Sequence, residues 1–306
     1  MLRLNEFSEL NRIEEPVDLA IGFFDGVHLG HQAVINNAIG ANGESTVVLT
    51  FDPHPLSVIS PSQLPIIITP VNHKQRLIEK LGVDYFLVIN FDERRANQSA
   101  EEFVGEIVDS CNLKSISVGN EFRFGCDRKG DIKLLTELGK NFGFEVNGIE
   151  RVCDVTGEVI SSTRVRESLQ GGDLKLAKNL LGRDFSISGP VSKGDRIGRE
   201  MSFPTANIDI FDNLAIPHGV YAILADLGGE IFQGVANLGV RPTVMESKNA
   251  KLRLEVHLFN FDRIIYGKVI DVSFLSYIRE EKKFDGVDEL RVQISNDVLE
   301  ARRLFS

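Results

Sequence analysis

The pattern of apolar residues changes near residue 182, and this change constrains the fold more than any other feature of the sequence. Before it, short and nearly continuous apolar segments alternate with segments of helical periodicity. Such alternation is typical of βαβ units and predicts a parallel, doubly wound sheet. The strand candidates are residues 17–22, 45–51, 84–90, 115–118 and 144–149, and the helix candidates lie near 28–40, 71–81, 99–111, 131–141 and 163–181.

After the change, the sequence consists of short strand candidates separated by turn residues. In the clearest, Leu and Val alternate with Arg253, Glu255 and His257, which gives one buried and one polar face. Several such strands in series predict a small antiparallel barrel. The strand candidates are residues 185–191, 219–226, 230–237, 251–259 and 268–274, and Val287, Leu290, Ile294 and Val298 predict a closing amphipathic helix.

The change of pattern also predicts the domain organisation. We place the boundary at Gly182-Arg183-Asp184, which gives an α/β domain over residues 1–183 and a β domain over residues 184–306. A chain of 306 residues suits two domains. Since no low-complexity linker separates them, we expect the two domains to lie close together.

Charge and cysteine content exclude several classes of protein. The net charge is −10, the opposite of the basic footprint of nucleic-acid binders. No apolar run approaches the roughly 20 residues of a membrane span, and the first residues lack the apolar core of a secretory signal. The three cysteines are widely spaced, which fits a reducing compartment and no structural zinc. We therefore expect a cytoplasmic monomer or weak homo-oligomer that binds neither nucleic acid nor membrane.

The stretch GFFDGVHLGH, residues 22–31, links the first strand candidate of the α/β domain to its first helix. Ligands of parallel sheets bind at the carboxyl ends of strands, and a helix N-terminus offers free N–H groups to anions. His28 and His31 lie three apart on one face of the first turn, so they could grip a phosphate chain, and Gly30 allows close approach. Ordinary structural histidines or half of a metal site would give the same spacing.

Three further stretches carry candidate site residues. Two of them lie at the same edge of the predicted sheet, and the third begins the last helix candidate of the α/β domain. TFDPHP follows the second strand, and GNEFRFG follows the fourth. ISSTRVR, residues 160–166, begins a helix with hydroxyl residues, which are first of all N-caps. The helix dipole disfavours two arginines in a first turn, so Arg164 and Arg166 indicate a bound anion there.

These four motifs, in this order, resemble the FMN adenylyltransferase module of prokaryotic bifunctional FAD synthetases, a nucleotidyltransferase fold. The match spans most of residues 17–170, but Phe23 stands where the family often has Asn, and Glu121 where it often has Asp or Asn. The resemblance implies that His28 and His31 contact ATP phosphates. It implies further ATP contacts at Gly22, Phe23, Asp25, Gly30, Ser162, Thr163, Arg164 and Arg166, and flavin contacts at Asp52, Pro55, Glu121 and Arg123.

Several polar residues in the second half could bind phosphate or a metal ion, but each of them also has an ordinary structural explanation. The basic, glycine-containing segment from Ser192 to Arg199 is either a phosphate cradle or a solvated turn. Thr205 and Asn207 offer neutral oxygens to a hard cation, or lie on a plain strand surface. Glu255 is a candidate general base, or a surface acid paired with Arg253 or Lys268.

The second half is similar to riboflavin kinase over roughly residues 183–303. The likeness rests on FPTAN at 203–207, GVY at 219–221, NLGVRPT at 237–243, LEVHLF at 254–259 and IREEKKF at 278–284. It implies a six-stranded barrel in which Glu255 takes the proton from the ribityl 5′-hydroxyl, and Arg279 and the final helix enclose the flavin. Met201-Ser202 departs from the usual Leu-Gly. The implied Mg²⁺ ligands are Thr205 and Asn207, and the implied ATP contacts are Lys193, Gly194, Arg196, Gly198 and Arg199.

Together the two resemblances predict a bifunctional FAD synthetase. The barrel would phosphorylate riboflavin to FMN with ATP, and the α/β domain would transfer AMP from ATP to FMN, giving FAD and pyrophosphate. Mg²⁺ would accompany ATP in both steps. Two alternatives remain at this point: an enzyme with one active domain, and a flavin- or nucleotide-binding regulator without turnover.

Overall fold

The computed structural model describes residues 1–40, 44–192, 203–210, 214–240 and 252–305. The chain divides into two compact units, each treated below by itself. The first comprises Met1–Pro65 and Thr69–Ser162, and the second comprises Ile66–Ile68 and Thr163–Ser306.

The first unit is built on a six-stranded sheet in which every neighbouring pair is parallel, in the order β1-β4-β3-β2-β5-β6. The short N-terminal strand was not predicted, because three residues are too few to show a period. The strands are β1 (Leu2–Leu4), β2 (Val17–Ile21), β3 (Ser45–Asp52), β4 (Tyr85–Asn90), β5 (Leu113–Gly119) and β6 (Glu145–Ile149).

Helices cover both faces of this sheet, as the doubly wound prediction requires. Val34 and Ile35 of α1 pack with α3 on one face, and Val104 of α5 packs with α6 on the other. Strand β2 has β3 on one side and β5 on the other, so the strand order reverses beside β2, where ligands of such sheets bind. The helices are α1 (Leu29–Ala38), α2 (Pro55–Ile59), α3 (Val71–Glu79), α4 (Glu93–Ala96), α5 (Ala100–Ser110) and α6 (Ile132–Phe142).

The single helix predicted over 163–181 is wrong, because the structure has two helices there. Helix α7 (Ser162–Gln170) ends at two glycines, and Gly172 has a left-handed φ of 74°. Asp173 then caps α8 (Leu174–Leu181) by accepting the N–H of Leu176 at 2.8 Å. A left-handed glycine ends one helix, and an N-cap acid just after it begins the next.

The second unit contains a closed six-stranded antiparallel barrel in the order β10-β11-β8-β7-β12-β9. The periodicity predicted five of these strands; β8 is only three residues long and was missed. The closing helix α9 buries Ala301 against Ala222 and Val235 of the barrel. The strands are β7 (Phe185–Ser192), β8 (Ala206–Ile208), β9 (Gly219–Leu227), β10 (Glu230–Val240), β11 (Leu252–Leu258) and β12 (Val269–Arg279), and α9 spans Val287–Leu304.

Within the described ranges, no helix has both the length and the apolar character needed to cross a bilayer.

Candidate active sites

The loop between β2 and α1 lies at the point where the strand order of the parallel sheet reverses. Phe24 and Val27 have φ values of 53° and 45°, a region that non-glycine residues seldom adopt and that is strained for a β-branched residue. Asp25 is only 2% exposed and accepts the backbone N–H of Thr69 at 2.9 Å. Thr69 Oγ1 in turn accepts the N–H of Gly26 at 2.9 Å. Buried polar contacts therefore hold this loop in its strained form.

His28 caps α1 through one of its two ring nitrogens. Its Nδ1 accepts the backbone N–H of His31 at 3.2 Å, so in the neutral imidazole the proton is on Nε2 and can be donated. The two imidazoles are stacked, with centroids 3.5 Å apart. A Cβ on Gly30 would lie 3.1 Å from the His28 ring, so this position favours glycine. Among the described residues, no third His, Cys, Asp or Glu joins the two histidines in a metal-binding group.

Phe23, one of the residues that depart from the family pattern, joins this loop to the end of β3. Its ring lies 4.0 Å from the His54 ring, and its carbonyl accepts Thr50 Oγ1 at 3.0 Å and Lys74 Nζ at 2.5 Å. His54 Nδ1 caps α2 by accepting the N–H of Leu56 at 3.0 Å, as His28 does for α1. Asp52 ends β3, and Pro55 is the first residue of α2. Sequence reasoning missed Lys74, whose only signal is its place in an amphipathic helix.

The segment after β5 places its two predicted flavin contacts at the surface. Glu121 forms an ion pair with Arg151, and both side chains are more than half exposed. Arg123 lies 3.0 Å from Asp131, the N-cap of α6. Both predicted residues therefore lie at the carboxyl edge of β5, beside the reversal point, and each already has a charged partner.

Helix α7 begins next to the loop that follows β2. Ser162 Oγ donates to the carbonyl of Asp25 at 2.8 Å, and the first turn of α7 contains no acid. The unit division falls directly after Ser162, so Thr163, Arg164 and Arg166 belong to the second unit. Arg166 Nε donates to the carbonyl of Ile66 at 2.7 Å. A backbone contact therefore orients the guanidinium of Arg166.

The second site is a cavity of about 310 Å³ in the barrel unit. The antiparallel register places Glu255 of β11 between Asn207 of β8 and Asn237 of β10, and all three line the cavity. Phe284, Leu290 and Ile294 supply apolar lining. Small-molecule sites usually combine a few well-placed polar groups with an apolar lining, as this cavity does.

Glu255 has the ion-pair partner that the sequence analysis considered, yet it also lines the cavity. Its Oε1 lies 2.8 Å from Arg253 Nε, and 32% of its side chain is exposed. Arg253 Nε also donates to Asn207 Oδ1. The guanidinium therefore bridges the carboxylate and the amide, a link that sequence reasoning did not foresee.

Thr205 and Asn207 carry neutral oxygens of the kind that a hard divalent cation binds. Both line the cavity, and they are two apart along the chain. Asn207 is 8% exposed, is held between β7 and β11, and turns its Oδ1 toward the Arg253 cation. Neutral protein oxygens combined with substrate phosphates are typical of Mg²⁺ sites.

Arg279 ties β12 to α9 at the border of the cavity. Its guanidinium donates to both carboxylate oxygens of Asp297, at 2.8 and 2.7 Å, and lies 5.8 Å from the Phe284 ring centroid. Asp297 is 4% exposed and also accepts Gln293 Nε2 at 2.9 Å. Asp297 is a further residue that the sequence analysis missed, because its partner lies on another element.

His257 fixes the segment that precedes β8. Its Nδ1 lies 2.9 Å from the carbonyl of Pro204, and its ring contacts Phe203. Burial lowers the pKa of His257, against the raising effect of the Pro204 contact. The predicted ATP contacts Lys193, Gly194, Arg196, Gly198 and Arg199 lie outside the described residues, as does the departure at Met201-Ser202.

Comparison with known proteins assigns the two units to two enzyme families. A family model of FAD synthetase matches residues 10–164, and one of riboflavin kinase matches residues 181–305. The chain is 39% identical to the bifunctional riboflavin kinase/FMN adenylyltransferase of Escherichia coli, covering 95% of this chain and 94% of that protein. The Haemophilus influenzae protein of the same name is 40% identical, with 97% and 96% covered.

A solved structure also covers both units. It is described as a macrolide-efflux protein from Streptococcus pneumoniae, is 30% identical, and superposes with a TM-score of 0.76 over 97% of this chain and 96% of that one. This chain belongs to the family of bifunctional riboflavin kinase/FMN adenylyltransferases. The predicted family, fold class and bifunctional ATP-dependent transferase are confirmed.

Proposed function

We propose that the enzyme carries out its two reactions at the two sites described above, phosphorylating riboflavin in the barrel and adenylylating FMN at the edge of the parallel sheet. The observation that carries this assignment is the arrangement of Asn207, Glu255 and Asn237 in one cross-strand row inside the barrel cavity. The row supports the proposal because it holds a carboxylate, the proposed base, and an amide, the proposed metal ligand, at one ligand-sized space.

In the barrel, Glu255 removes the proton from the ribityl 5′-hydroxyl of riboflavin. The resulting oxygen nucleophile attacks the γ-phosphorus of ATP, ADP leaves, and FMN is the product. Thr205 and Asn207 would hold the Mg²⁺ of MgATP, and the ion would supply neutralisation of phosphate charge, as is usual in such transfers. The ATP contacts proposed from the family pattern are Lys193, Gly194, Arg196, Gly198 and Arg199, and Arg279 bounds the flavin side.

At the sheet edge, no protein side chain acts as nucleophile. An FMN phosphate oxygen attacks the α-phosphorus of ATP, and pyrophosphate leaves. His28 and His31 donate to the phosphates at the N-terminus of α1, where the helix field also favours negative charge. Further proposed ATP contacts are Gly22, Phe23, Asp25, Gly30, Ser162, Thr163, Arg164 and Arg166, and proposed flavin contacts are Asp52, Pro55, Glu121 and Arg123.

The test is chromatography of the products formed by the purified protein from riboflavin, ATP and Mg²⁺. We expect FMN first and FAD later. FMN that never proceeds to FAD would indicate that only the kinase is active. Binding of flavin with no product, even when FMN is supplied, would favour a regulator.

Two further proposals concern organisation and location. We keep the functional boundary at Arg183-Asp184, between the end of α8 and the start of β7; a fragment 184–306 that phosphorylates riboflavin would support it. The three cysteines are free, which supports a reducing compartment such as the cytoplasm. A monomer or weak homo-oligomer stays a prediction, to be measured by light scattering.

A further inference from the structure

Lys74 is a buried cation that the reaction scheme above does not use. It lies on the inner face of α3 and is 1% exposed. Its neighbours on that face, Leu77 and Ile78, are apolar, as expected for a helix packed on a sheet. Taking an ammonium out of water is costly, so a lysine at this position needs a reason beyond packing.

The ammonium of Lys74 is directed at the loop that carries the His28 site. Nζ donates to the carbonyl of Phe23 at 2.5 Å and lies 3.9 Å from the centroid of the Phe23 ring. That carbonyl immediately precedes Phe24, which has a left-handed φ. Thr50 Oγ1 donates to the same oxygen, so two side chains from different elements fix one strained point of the loop.

The charges around Lys74 explain why a neutral group would not serve equally well. Asp25 in the loop and Asp52 at the end of β3 both act on the ammonium, and the imidazole of His54 packs against the Phe23 ring. On α3 itself, the residue before Lys74 is His73, a buried titratable side chain. A triphosphate bound at this edge would meet two carboxylates, and Lys74 supplies the cation that offsets them.

We propose that Lys74 is a positioning residue for adenylyl transfer: its ammonium fixes the loop from Gly22 to His28 and offsets the charge of Asp25 and Asp52 beside the triphosphate. This inference rests on the proposed assignment of the His28 and His31 site. Lys74 touches the loop and acts on the substrate through it.

The protonation of Lys74 provides a readout that a purely structural role would not affect. Burial lowers the pKa of Lys74 to about 8, and the charges of Asp25 and Asp52 limit that decrease. Adenylyl transfer should therefore slow as the pH rises through about 8, because the ammonium is lost. Riboflavin phosphorylation by the same protein, measured over the same pH range, provides the internal reference.

The experiment compares Lys74→Met, Thr50→Val, His28→Ala and the exposed control Lys80→Met in the full chain. Misplacing reacting groups by about 1 Å can cost about 10²-fold in rate, so we expect Lys74→Met to lower kcat for FMN adenylylation by about that factor. The Lys74→Met variant should phosphorylate riboflavin at the parent rate, and its rate of adenylyl transfer should no longer fall as the pH rises. Thr50→Val should cost less and keep the decline, while Lys80→Met should behave as the parent enzyme.

Each contrary result has a distinct meaning. If His28→Ala abolishes adenylyl transfer and Lys74→Met does not lower it, the inference about Lys74 is wrong and the site assignment stands. If neither variant changes adenylyl transfer, both the site assignment and the inference are wrong. If Lys74→Met fails to fold, the pH profiles of the parent enzyme and of Thr50→Val still test the inference. A rate of adenylyl transfer that falls at alkaline pH in both proteins, while the rate of phosphorylation does not fall, supports the inference. A flat pH profile of adenylyl transfer overturns it.

Discussion

The two candidate sites are both proposed to bind ATP, yet they are built in opposite ways. At the parallel sheet, the groups proposed to face the ligand come mainly from one loop and one helix N-terminus, including two histidines three residues apart. In the barrel, Asn207, Asn237 and Glu255 are far apart in sequence and are joined only by strand register. A contiguous motif therefore supplies the centre of the first candidate site, whereas cross-strand pairing defines the second.

The physical reason is the position of strand ends in the two folds. Parallel strands all end at one edge, so the site must be made from the loops that leave that edge. Antiparallel strands present a row of side chains across their faces, so neighbouring strands contribute single residues. Substitutions at one site should therefore leave the other activity intact, and this expectation can be tested.

The largest expected effect is at the barrel site. A general base contributes about 10²–10⁴ in rate, so Glu255→Gln should lower FMN formation by that factor while FMN is still converted to FAD. The measurement is the initial rate of each half-reaction, with ATP saturating. A near-normal rate of phosphorylation would rule out Glu255 as the base.

The reciprocal change addresses the loop site. His28→Ala combined with His31→Ala removes donors from a site of developing phosphate charge, where a single donor is worth about 10²–10³ in rate. We expect FMN to accumulate without FAD. Equal loss of both activities would contradict the independence of the two sites.

A third change probes how the barrel cavity is closed. Asp297→Ala removes the carboxylate partner of the largely buried Arg279 guanidinium, and breaking a buried ion pair typically costs about 3–5 kcal/mol. We expect a lower urea midpoint for the barrel and a raised KM for riboflavin, with FMN adenylylation retained. If the KM for riboflavin stays unchanged although the midpoint falls, Arg279 supports the fold alone.

The pKa of Lys74 predicts that the first unit becomes more stable as the pH rises, whereas Asp297→Ala is expected to make the barrel less stable. Because this pKa is about 8 in the folded state and 10.5 is the ordinary value, the unfolded chain binds more protons between these values. The stability of the first unit should therefore rise by about 3 kcal/mol as the pH increases across that window. Lys74→Met should remove this rise; urea unfolding at pH 7 and pH 10 measures it.

The smallest expected effect concerns the exposed pair of Glu121 and Arg151. Exposed ion pairs contribute little to stability, so Glu121→Gln should leave the unfolding midpoint unchanged. A raised KM for FMN would then support the proposed flavin contact. An unchanged KM would remove Glu121 from the site.

Much of the fold could be predicted because its signals are local. Continuous apolar strands separated by helices predicted the five longer strands of the parallel sheet, and strict alternation in 252–258 predicted β11. The short strands β1 and β8 and the break at Gly171-Gly172 were missed, since three residues carry no period and a glycine pair leaves the flanking helical pattern intact.

The sequence by itself determined the two architectures and the family, and it predicted the contiguous part of the proposed phosphate site around His28 and His31. Periodicity and short motifs depend on neighbours in the chain, so they are visible without coordinates. Only the tertiary structure decided that Lys74 is directed at the Phe23 carbonyl, that Arg253 bridges Glu255 and Asn207, and that Asp297 pairs with Arg279. These contacts join elements distant in sequence, and burial and charge act on them only once packing has brought the side chains together.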